Sequence, residues 1–379
     1  MLLQRYALLV LTLALGLAAT VRAEPGVESA RVLFGQSAGV TGPYARVVEE
    51  YNQGLQAAFQ MINDQGGVNG RRLELKTLDD ASLPDKTLGN VTTLIQKEQV
   101  FGLAGVFGTA NNQQIADLIF KEKVPSIAPY TGSDVTRIYH NPMQFNIRAS
   151  YRDESERIVR QLVSLGIKRI GVLYQDDSYG EAGLEGIERA MRKNNLDVAA
   201  SAKYDRTKLD VTAAVKQLAD AKVGAVILVA VSKPAADFIH GMKQRGINIQ
   251  YFALSPVDAS ELYALLKEEA VGVAISQVMP NPITGTEQVV GDFQRAMRKY
   301  AAGKPLTYPG IEGFMTGWVI IEGLKKAGSN VTRKTFVEAL ESMDDKYFGG
   351  FPLRYLPSNH RGSTFVDFVV ISKGGRLGR

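Results

Sequence analysis

The chain has 379 residues, 45% of them hydrophobic, with 44 Lys and Arg against 39 Asp and Glu, which is typical of two or three folded domains and excludes a disordered chain. It has no Cys and only three His, which excludes disulfides, thiol nucleophiles and Cys-ligated metals, and we expect no cofactor. Its weak basicity, without a long cluster of Lys or Arg, excludes nucleic acid as a partner.

The N-terminal segment has the pattern of a cleaved signal peptide. Arg5 precedes an apolar run over residues 6–19, and Val21-Arg22-Ala23 places small residues before Glu24. The run is shorter than the roughly 20 residues that a membrane-spanning helix needs. Residues 1–23 are therefore predicted to direct export to the periplasm and to be removed. Export also argues against a dependence on ATP or NAD.

Short β-rich runs then alternate with amphipathic helical runs. The predicted strands are Arg31–Phe34, Leu73–Leu78, Phe101–Val106, Ser126–Ala128, Arg169–Tyr174, Val198–Tyr204, Ala225–Val231, Tyr251–Leu254 and Gly272–Gln277. The predicted helices are Tyr51–Asp64, Leu88–Glu98, Asn112–Lys123, Asp153–Leu165, Glu181–Asn194, Val211–Ala221, Ala235–Arg245 and Glu287–Ala301. This alternation predicts an α/β fold with parallel sheets.

The strand–helix pattern runs twice, which predicts two similar lobes. A helical block over 287–343 follows the second run, and a last strand is predicted at Phe365–Ile371. We assign residues 30–148 and 280–347 to lobe 1, and residues 149–279 and 348–379 to lobe 2. Several chain crossings between two lobes make a hinge, which suits a protein that closes on a ligand.

One motif suggests a hydrolase. Gly35-Gln-Ser37-Ala-Gly39 matches the G-x-S-x-G pattern of a nucleophile elbow after a strand, which would make Ser37 a nucleophile. The elbow requires a helix directly after the serine, whereas Val40-Thr-Gly-Pro43 predicts a loop. A serine hydrolase therefore stays a remote alternative.

Other patterns are better explained by structure than by chemistry. The spacing of Gly180, Gly183 and Gly186 does not fit the dinucleotide-binding fingerprint, and favours close packing of a helix on a sheet. The pairs Asp79-Asp80 and Asp176-Asp177 follow strands, where such residues usually bond a turn or cap a helix.

Small polar and aromatic residues follow several strands, where open α/β sheets bind ligands. In the loop Gly108–Asn112, free backbone N–H groups and the Thr109 hydroxyl would receive a carboxylate at the start of a helix. Capping by Asn111 or Asn112 is a second interpretation of this loop, compatible with the first. The loop 128–133 offers similar donors, and Tyr179 places a ring at the corresponding point of lobe 2.

With these loops, the sequence resembles the periplasmic branched-chain amino-acid-binding family, the substrate-binding proteins of ABC importers. The resemblance covers nearly all of Arg31–Ile371 and includes a helix-to-turn signature followed by an acidic pair. The matching segments are 41–43, 57–70, 79–80, 105–109, 128–129 and 174–180.

The resemblance implies two Rossmann-like lobes, a hinge of three crossovers, and a cleft that closes on a small solute. It implies that Thr109, beside Ala110, binds a ligand carboxylate, and that Tyr130-Thr131-Gly132 contacts both carboxylate and amine. Tyr179 would cover the ligand, and Tyr44 would lie near the pocket mouth. The implied partners are a small-molecule ligand and an ABC permease, with the binding protein acting as a monomer.

The sequence departs from the family where amino-acid binders carry an acid that holds the ligand ammonium. The corresponding loop reads Ser255-Pro-Val-Asp258, and Asp258, shifted by a residue or two, is the candidate substitute. The ligand class therefore stays open between an α-amino acid and a carboxylate without an amine. Glu312 is interpreted as a first-turn acid that complements its helix dipole, with a position facing the cleft as the alternative.

These observations predict a non-enzymatic periplasmic solute-binding protein that delivers an amino acid or small carboxylate to a permease. An exported ligand sensor that reports occupancy to a receptor is the alternative, because the same fold serves that role.

Overall fold

The computed structural model describes residues 24–137 and 141–378. These residues form two α/β lobes, each built around its own sheet, as predicted. No helix in this part of the chain is long and apolar enough to cross a bilayer. The predicted signal peptide, residues 1–23, lies outside the described residues, as does His140.

Lobe 1 has a five-stranded parallel sheet in the order β2-β1-β3-β4-β5. Its strands are β1 (Arg31–Ala38), β2 (Arg72–Asp79), β3 (Gly102–Ala104), β4 (Ser126–Ile127) and β5 (Gln144–Phe145). Its helices are α1 (Ala45–Asn63), α2 (Pro84–Gln96), α3 (Thr109–Lys121), α9 (Gln288–Tyr300), α10 (Tyr308–Ala327) and α11 (Arg333–Glu341).

Lobe 2 has a seven-stranded sheet in the order β12-β11-β10-β9-β8-β6-β7, in which β11 pairs antiparallel with both of its neighbours. Its strands are β6 (Ile170–Gln175), β7 (Ala200–Tyr204), β8 (Ala225–Val229), β9 (Gln250–Ala253), β10 (Ala274–Gln277), β11 (Asp367–Ile371) and β12 (Leu377–Gly378). Its helices are α4 (Tyr151–Ser164), α5 (Ser178–Lys193), α6 (Thr212–Asp220), α7 (Ser232–Gln244) and α8 (Ala259–Leu266).

The local sequence explains why these elements form. All five residues of β8 are apolar and buried, as expected of a parallel strand covered by helices on both faces. The apolar face of α4 is buried through Ile158, Val159 and Leu162. The same helix begins with a capping box, in which Ser150 and Asp153 satisfy each other's backbone N–H groups.

The predicted strands and helices are confirmed, with shifted boundaries. The helix α1 begins at Ala45, six residues before the predicted start. Among the strands, the largest extension is in β1, which continues through Gly35-Gln-Ser-Ala38 because Gln36 and Ser37 are buried and hydrogen-bonded inside the lobe. Three elements were not predicted: the two-residue strands β5 and β12, and the short helix α8.

The chain passes between the lobes three times, confirming the three-crossover hinge. The passes lie between β5 and α4, between β10 and α9, and ahead of β11. Segment 348–379 is divided between the lobes: Phe348, Phe351 and Tyr355 pack in the lobe 1 core, whereas β11 and β12 extend the lobe 2 sheet.

Candidate functional site

A cavity of about 40 Å³ lies between the lobes, enough for a few water-sized groups in this closed arrangement. Lobe 1 contributes strand-end and helix-start residues, and lobe 2 contributes two tyrosines, an ion pair and a proline. The lining residues are Tyr44, Ser82, Phe107, Gly108, Thr109, Ala110, Asn111, Tyr130, Tyr151, Asp177, Tyr179, Arg206 and Pro256.

The first turn of α3 opens into this cavity. Gly108 precedes the helix with φ +95°, a conformation that favours glycine. The N–H groups of Thr109, Ala110 and Asn111 have no hydrogen-bond acceptor among the described residues. Free N–H groups and the positive end of the helix dipole attract an anion here.

The helix begins at Thr109 rather than near Asn112, so the prediction that Asn111 or Asn112 caps it was wrong. Both asparagines lie inside the first turn. The Asn112 amide donates to the Val106 and Gly108 carbonyls, both at 2.8 Å. The Asn111 amide donates to the Thr87 hydroxyl at 2.6 Å. Their side chains brace the loop and leave the backbone N–H groups uncapped.

Two of the predicted site residues support the cavity from behind. The Thr131 hydroxyl is fully buried, lies 2.8 Å from the Thr109 hydroxyl, and accepts a bond from the Ser133 N–H. Gly132 lies against Tyr151, whose ring atoms would be 2.5 Å from a Cβ at position 132. Thr131 therefore orients Thr109, and Gly132 makes room for a ring that lines the cavity.

Aromatic rings form most of the remaining wall. Phe107 stacks on Tyr130 with ring centroids 4.2 Å apart, and Tyr151 lies 5.3 Å from Tyr179. Tyr44 completes this set from the start of α1. Burial raises the pKa of Tyr130, Tyr151 and Tyr179, so these phenols are neutral at physiological pH.

The two charged residues that line the cavity, Asp177 and Arg206, already have hydrogen-bond partners within the protein. Asp177 caps α5 by accepting from the Tyr179 and Gly180 N–H groups, and its second oxygen accepts from Gln175 at 2.7 Å. That oxygen also lies 3.5 Å from the Arg206 guanidinium. Arg206 in turn donates to the Ser82 carbonyl at 2.8 Å and so joins the lobes.

Asp258 lies outside this cavity and lines a neighbouring one. Its carboxylate accepts from the Glu261 N–H at 2.7 Å, capping α8, and lies 3.7 Å from the Arg46 guanidinium across the cleft. Pro256 reaches the cavity wall from the same loop instead. The structure therefore brings together Tyr44, Thr109, Ala110, Tyr130 and Tyr179, with Thr131 and Gly132 behind them, but not Asp258.

A smaller cavity of about 20 Å³ adjoins the first and shares Tyr130 and Pro256 with it. Arg148 and Glu312 line it, are almost fully buried, and lie 3.6 Å apart. Glu312 is the fifth residue of α10, so its interpretation as a first-turn acid was wrong. Burial raises the pKa of Glu312, while Arg148 opposes that rise.

The serine-hydrolase alternative is contradicted. Ser37 lies inside β1, fully buried, and its hydroxyl donates to Asp80 at 2.7 Å. A nucleophile must instead be exposed on a turn into a helix. Asp79 also accepts from the Thr41 and Ala81 N–H groups, in agreement with the interpretation of the acidic pair as turn-bonding.

Sequence reasoning missed several lining residues, chiefly Phe107, Tyr151, Asp177, Arg206 and Pro256. Tyr151 and Arg206 follow hinge and loop segments whose position over the cavity depends on how the lobes close. Phe107 and Asp177 were noticed as parts of motifs, but their side chains could have been assigned to the core or to a cap. Within residues 24–137 and 141–378, no three acidic or His side chains cluster as a metal site would require.

A family profile described as "Periplasmic binding protein" matches residues 32–376. The chain belongs to this family. Its members are substrate-binding proteins and not enzymes, and the same family was identified from the sequence. A solved substrate-binding periplasmic protein from Ralstonia solanacearum has 30% sequence identity and a TM-score of 0.84, covering 91% of this chain and 99% of that one.

Two relatives have names that state what they bind. A "Leu/Ile/Val-binding protein homolog 7" of Brucella abortus is 24% identical over 81% of this chain and 80% of its own length. An "Amino acid binding protein" of Pseudomonas aeruginosa is 22% identical over 62% of this chain, and the match spans 63% of that protein.

Proposed function

We propose that this periplasmic binding protein is the solute-binding component of an ABC importer, acting in the periplasm as a monomer. It binds a small carboxylate-bearing ligand between its lobes and delivers it to a membrane permease. The observation that carries the proposal is the first turn of α3, whose three free N–H groups open into the interlobe cavity beside the Thr109 hydroxyl.

The ligand carboxylate lies against the N–H groups of Thr109 and Ala110 and accepts from the Thr109 hydroxyl. Hydrogen bonds to a charged group in a water-poor site each contribute about 1.5–3 kcal/mol. The rings of Tyr130, Tyr179 and Tyr44 cover the rest of the ligand and exclude water.

Binding is coupled to closure because the site is divided between the lobes. The carboxylate donors belong to lobe 1, whereas Tyr151 and Tyr179 belong to lobe 2. A ligand that contacts both lobes stabilises the closed arrangement over the open one, and so shifts an existing equilibrium. The permease then meets a closed, loaded protein.

A thermal-shift screen of residues 24–379 tests the proposal. The protein is unfolded and refolded first, to remove any carried-over ligand, and the panel holds the twenty amino acids and a set of small carboxylates. A ligand at 100 times its Kd adds about 2.7 kcal/mol of stability, a shift of a few degrees. No shift with any carboxylate-bearing compound contradicts the proposed ligand class.

The transport role needs its own readout, because a ligand sensor would pass the same screen. The loaded protein is added to its permease reconstituted in vesicles, and ATP hydrolysis and ligand uptake are measured. Stimulation of both supports import, whereas ligand binding without any stimulation favours the sensor role.

A further inference from the structure

Among the described residues that line the interlobe cavity, Asp177 is the one acidic residue, and it is already hydrogen-bonded within the protein. Asp177 uses both oxygens, on the first turn of α5 and on Gln175. Asp258 caps α8 and pairs with Arg46. Both oxygens of Asp177 are therefore engaged, whereas the contacts of Asp258, which lies outside this cavity, use only its Oδ1.

The acidic residues that line the adjoining cavity are Asp258 and Glu312. Glu154 is bonded to Ser255 of that lining: it accepts from the Ser255 N–H at 2.8 Å and from two serine hydroxyls, one of them Ser276 at 2.5 Å. The Glu312 carboxylate lies 3.6 Å from the Arg148 guanidinium, which balances its charge. The Arg148 guanidinium also lies 4.5 Å from the centroid of the Tyr130 ring. A positively charged group therefore already lies beside the Tyr130 ring, where the two cavities adjoin.

A ligand ammonium in the first cavity would therefore be buried without a free carboxylate in the wall. Burying a charge is costly unless it is paired and hydrogen-bonded, and the nearby Arg148 and Arg206 would repel it. The loop that follows β9 places Pro256, and not a carboxylate, in the wall of this cavity.

The end of the cavity at the first turn of α3 is different, because it has hydrogen-bond donors without acceptors in the protein. Besides the free N–H groups of α3, Ser82 is among the residues that line the cavity, and its buried hydroxyl has no partner among the described residues. A buried hydroxyl without a partner is costly, and a ligand oxygen would satisfy it. The rest of the lining is largely aromatic.

We propose that the ligand is an apolar carboxylate without an amino group, held by the first turn of α3 and enclosed by the aromatic wall. This inference rests on the proposed function and narrows its ligand class. It separates this chain from relatives whose names state that they bind amino acids.

Matched ligand pairs test the inference by calorimetry on the refolded protein. The pairs are leucine with 4-methylpentanoate, and phenylalanine with 3-phenylpropanoate, which differ only in the amino group. In at least one pair, the compound without the amine should bind at least tenfold more tightly, a difference of about 1.4 kcal/mol. Tighter binding of the amino acid overturns the inference but leaves the proposed function standing. Binding of no member overturns the inference, and a thermal-shift panel without any carboxylate ligand overturns the proposed function as well.

A gain-of-charge variant provides an independent test. Pro256→Asp places a carboxylate in the cavity wall, and Pro256→Asn makes the matched change without charge. Relative to Pro256→Asn, Pro256→Asp should shift the preference within each pair towards the amino acid by at least tenfold. An equal preference in the two variants would mean that charge at this wall does not select the ligand.

Discussion

The Thr109 hydroxyl is the side-chain group on which the carboxylate site depends most directly. Thr109→Val keeps the shape of the side chain and removes the hydroxyl that faces the cavity and contacts Thr131. Ligand affinity should fall about 10- to 100-fold, which corresponds to one lost hydrogen bond to a charged group. Calorimetric titration with a compound found in the ligand screen measures the change.

Thr92→Val is the matched control for that substitution. Thr92 lies on α2, away from the cavity, and its hydroxyl donates to the Leu88 carbonyl at 2.7 Å. This variant should bind the ligand as the wild type does. If Thr109→Val also bound normally, the first turn of α3 would not be holding the carboxylate through this hydroxyl.

Glu312 makes stability depend on pH. Burial raises the pKa of its carboxyl in the folded state above the ordinary value of 4.5. Between these two pKa values the folded state binds more protons than the unfolded state, so stability falls as pH rises through this window. Glu312→Gln removes the titration, so stability relative to the wild type should increase as pH rises above about 4.5.

Urea unfolding at a series of pH values measures this relative stability. Arg148 loses its counter-charge in Glu312→Gln, which adds an offset at every pH where the wild-type carboxyl is ionised. The direction of the slope, and not the offset, is therefore the test. Glu338→Gln, at an exposed position on α11, corrects for the loss of one carboxylate. A pH profile of Glu312→Gln parallel to that of Glu338→Gln would contradict the prediction.

At the scale of elements, α1 and α10 pack backbone against backbone through glycines. A Cβ at Gly313 would lie 1.9 Å from the Tyr51 carbonyl oxygen, and one at Gly54 would lie 1.8 Å from the Gly310 carbonyl oxygen. Since neither obstacle is a flexible side chain, Gly313→Ala must separate the helices. We expect a loss of at least about 2 kcal/mol, at or above the usual cost of overpacking a core.

Gly89→Ala is the matched control, because Gly89 lies in α2 with nothing within 4 Å of the added Cβ. There, the better helix propensity of alanine should stabilise the protein by about 0.5–1 kcal/mol. Urea unfolding monitored by circular dichroism compares the two variants. If Gly313→Ala proved as stable as the wild type, the close approach of α1 and α10 would be wrong.

The elements that the sequence predicted well are those whose own residues determine them. The apolar run of β8 and the amphipathic face of α4 can each be predicted from their own residues. In contrast, β5 has two residues and is defined by its pairing with β4, which sequence periodicity cannot show. β1 extends past Phe34 because Gln36 and Ser37 find buried partners, a tertiary effect that local sequence does not contain.

The site residues likewise fall into those that local sequence predicts and those that depend on contacts between the lobes. Thr109, Tyr130 and Tyr179 follow strands and were identified from that position together with the family resemblance. Arg206 and Pro256 reach the cavity only because the lobes meet, and Asp258 was misplaced because a carboxylate in a loop can equally cap the next helix. Contacts between lobes are therefore where the sequence carries least information.

For the whole molecule, the lobes meet around the cavities through a small set of polar contacts, among them the Arg148 guanidinium, which donates to the Ser255 hydroxyl at 2.6 Å. Arg206 donates to the Ser82 carbonyl, and Arg46 faces Asp258 at 3.7 Å. An exposed ion pair contributes about 0–1 kcal/mol and a hydrogen bond from a charged group about 1.5–3 kcal/mol, so these contacts hold the closed lobes together only weakly without a ligand. We therefore expect the free protein to open and the ligand to supply most of the free energy of closure.

Because the chain has no Cys, a pair of introduced cysteines can carry fluorescent labels without background. Lys86→Cys on α2 and Lys208→Cys in lobe 2 replace exposed residues on opposite lobes. Ligand should shorten the distance between the labels. Adding Arg206→Gln should require more ligand for the same closure, because the donor to the Ser82 carbonyl across the cleft is weakened.

Lys208→Cys with Arg245→Cys places both labels in lobe 2, so their distance should not respond to ligand. If the Lys86 and Lys208 labels stayed at one distance with and without ligand, the lobes would form a rigid body. The ligand would then have to enter a preformed cavity, and lobe closure would not be the signal that a permease receives.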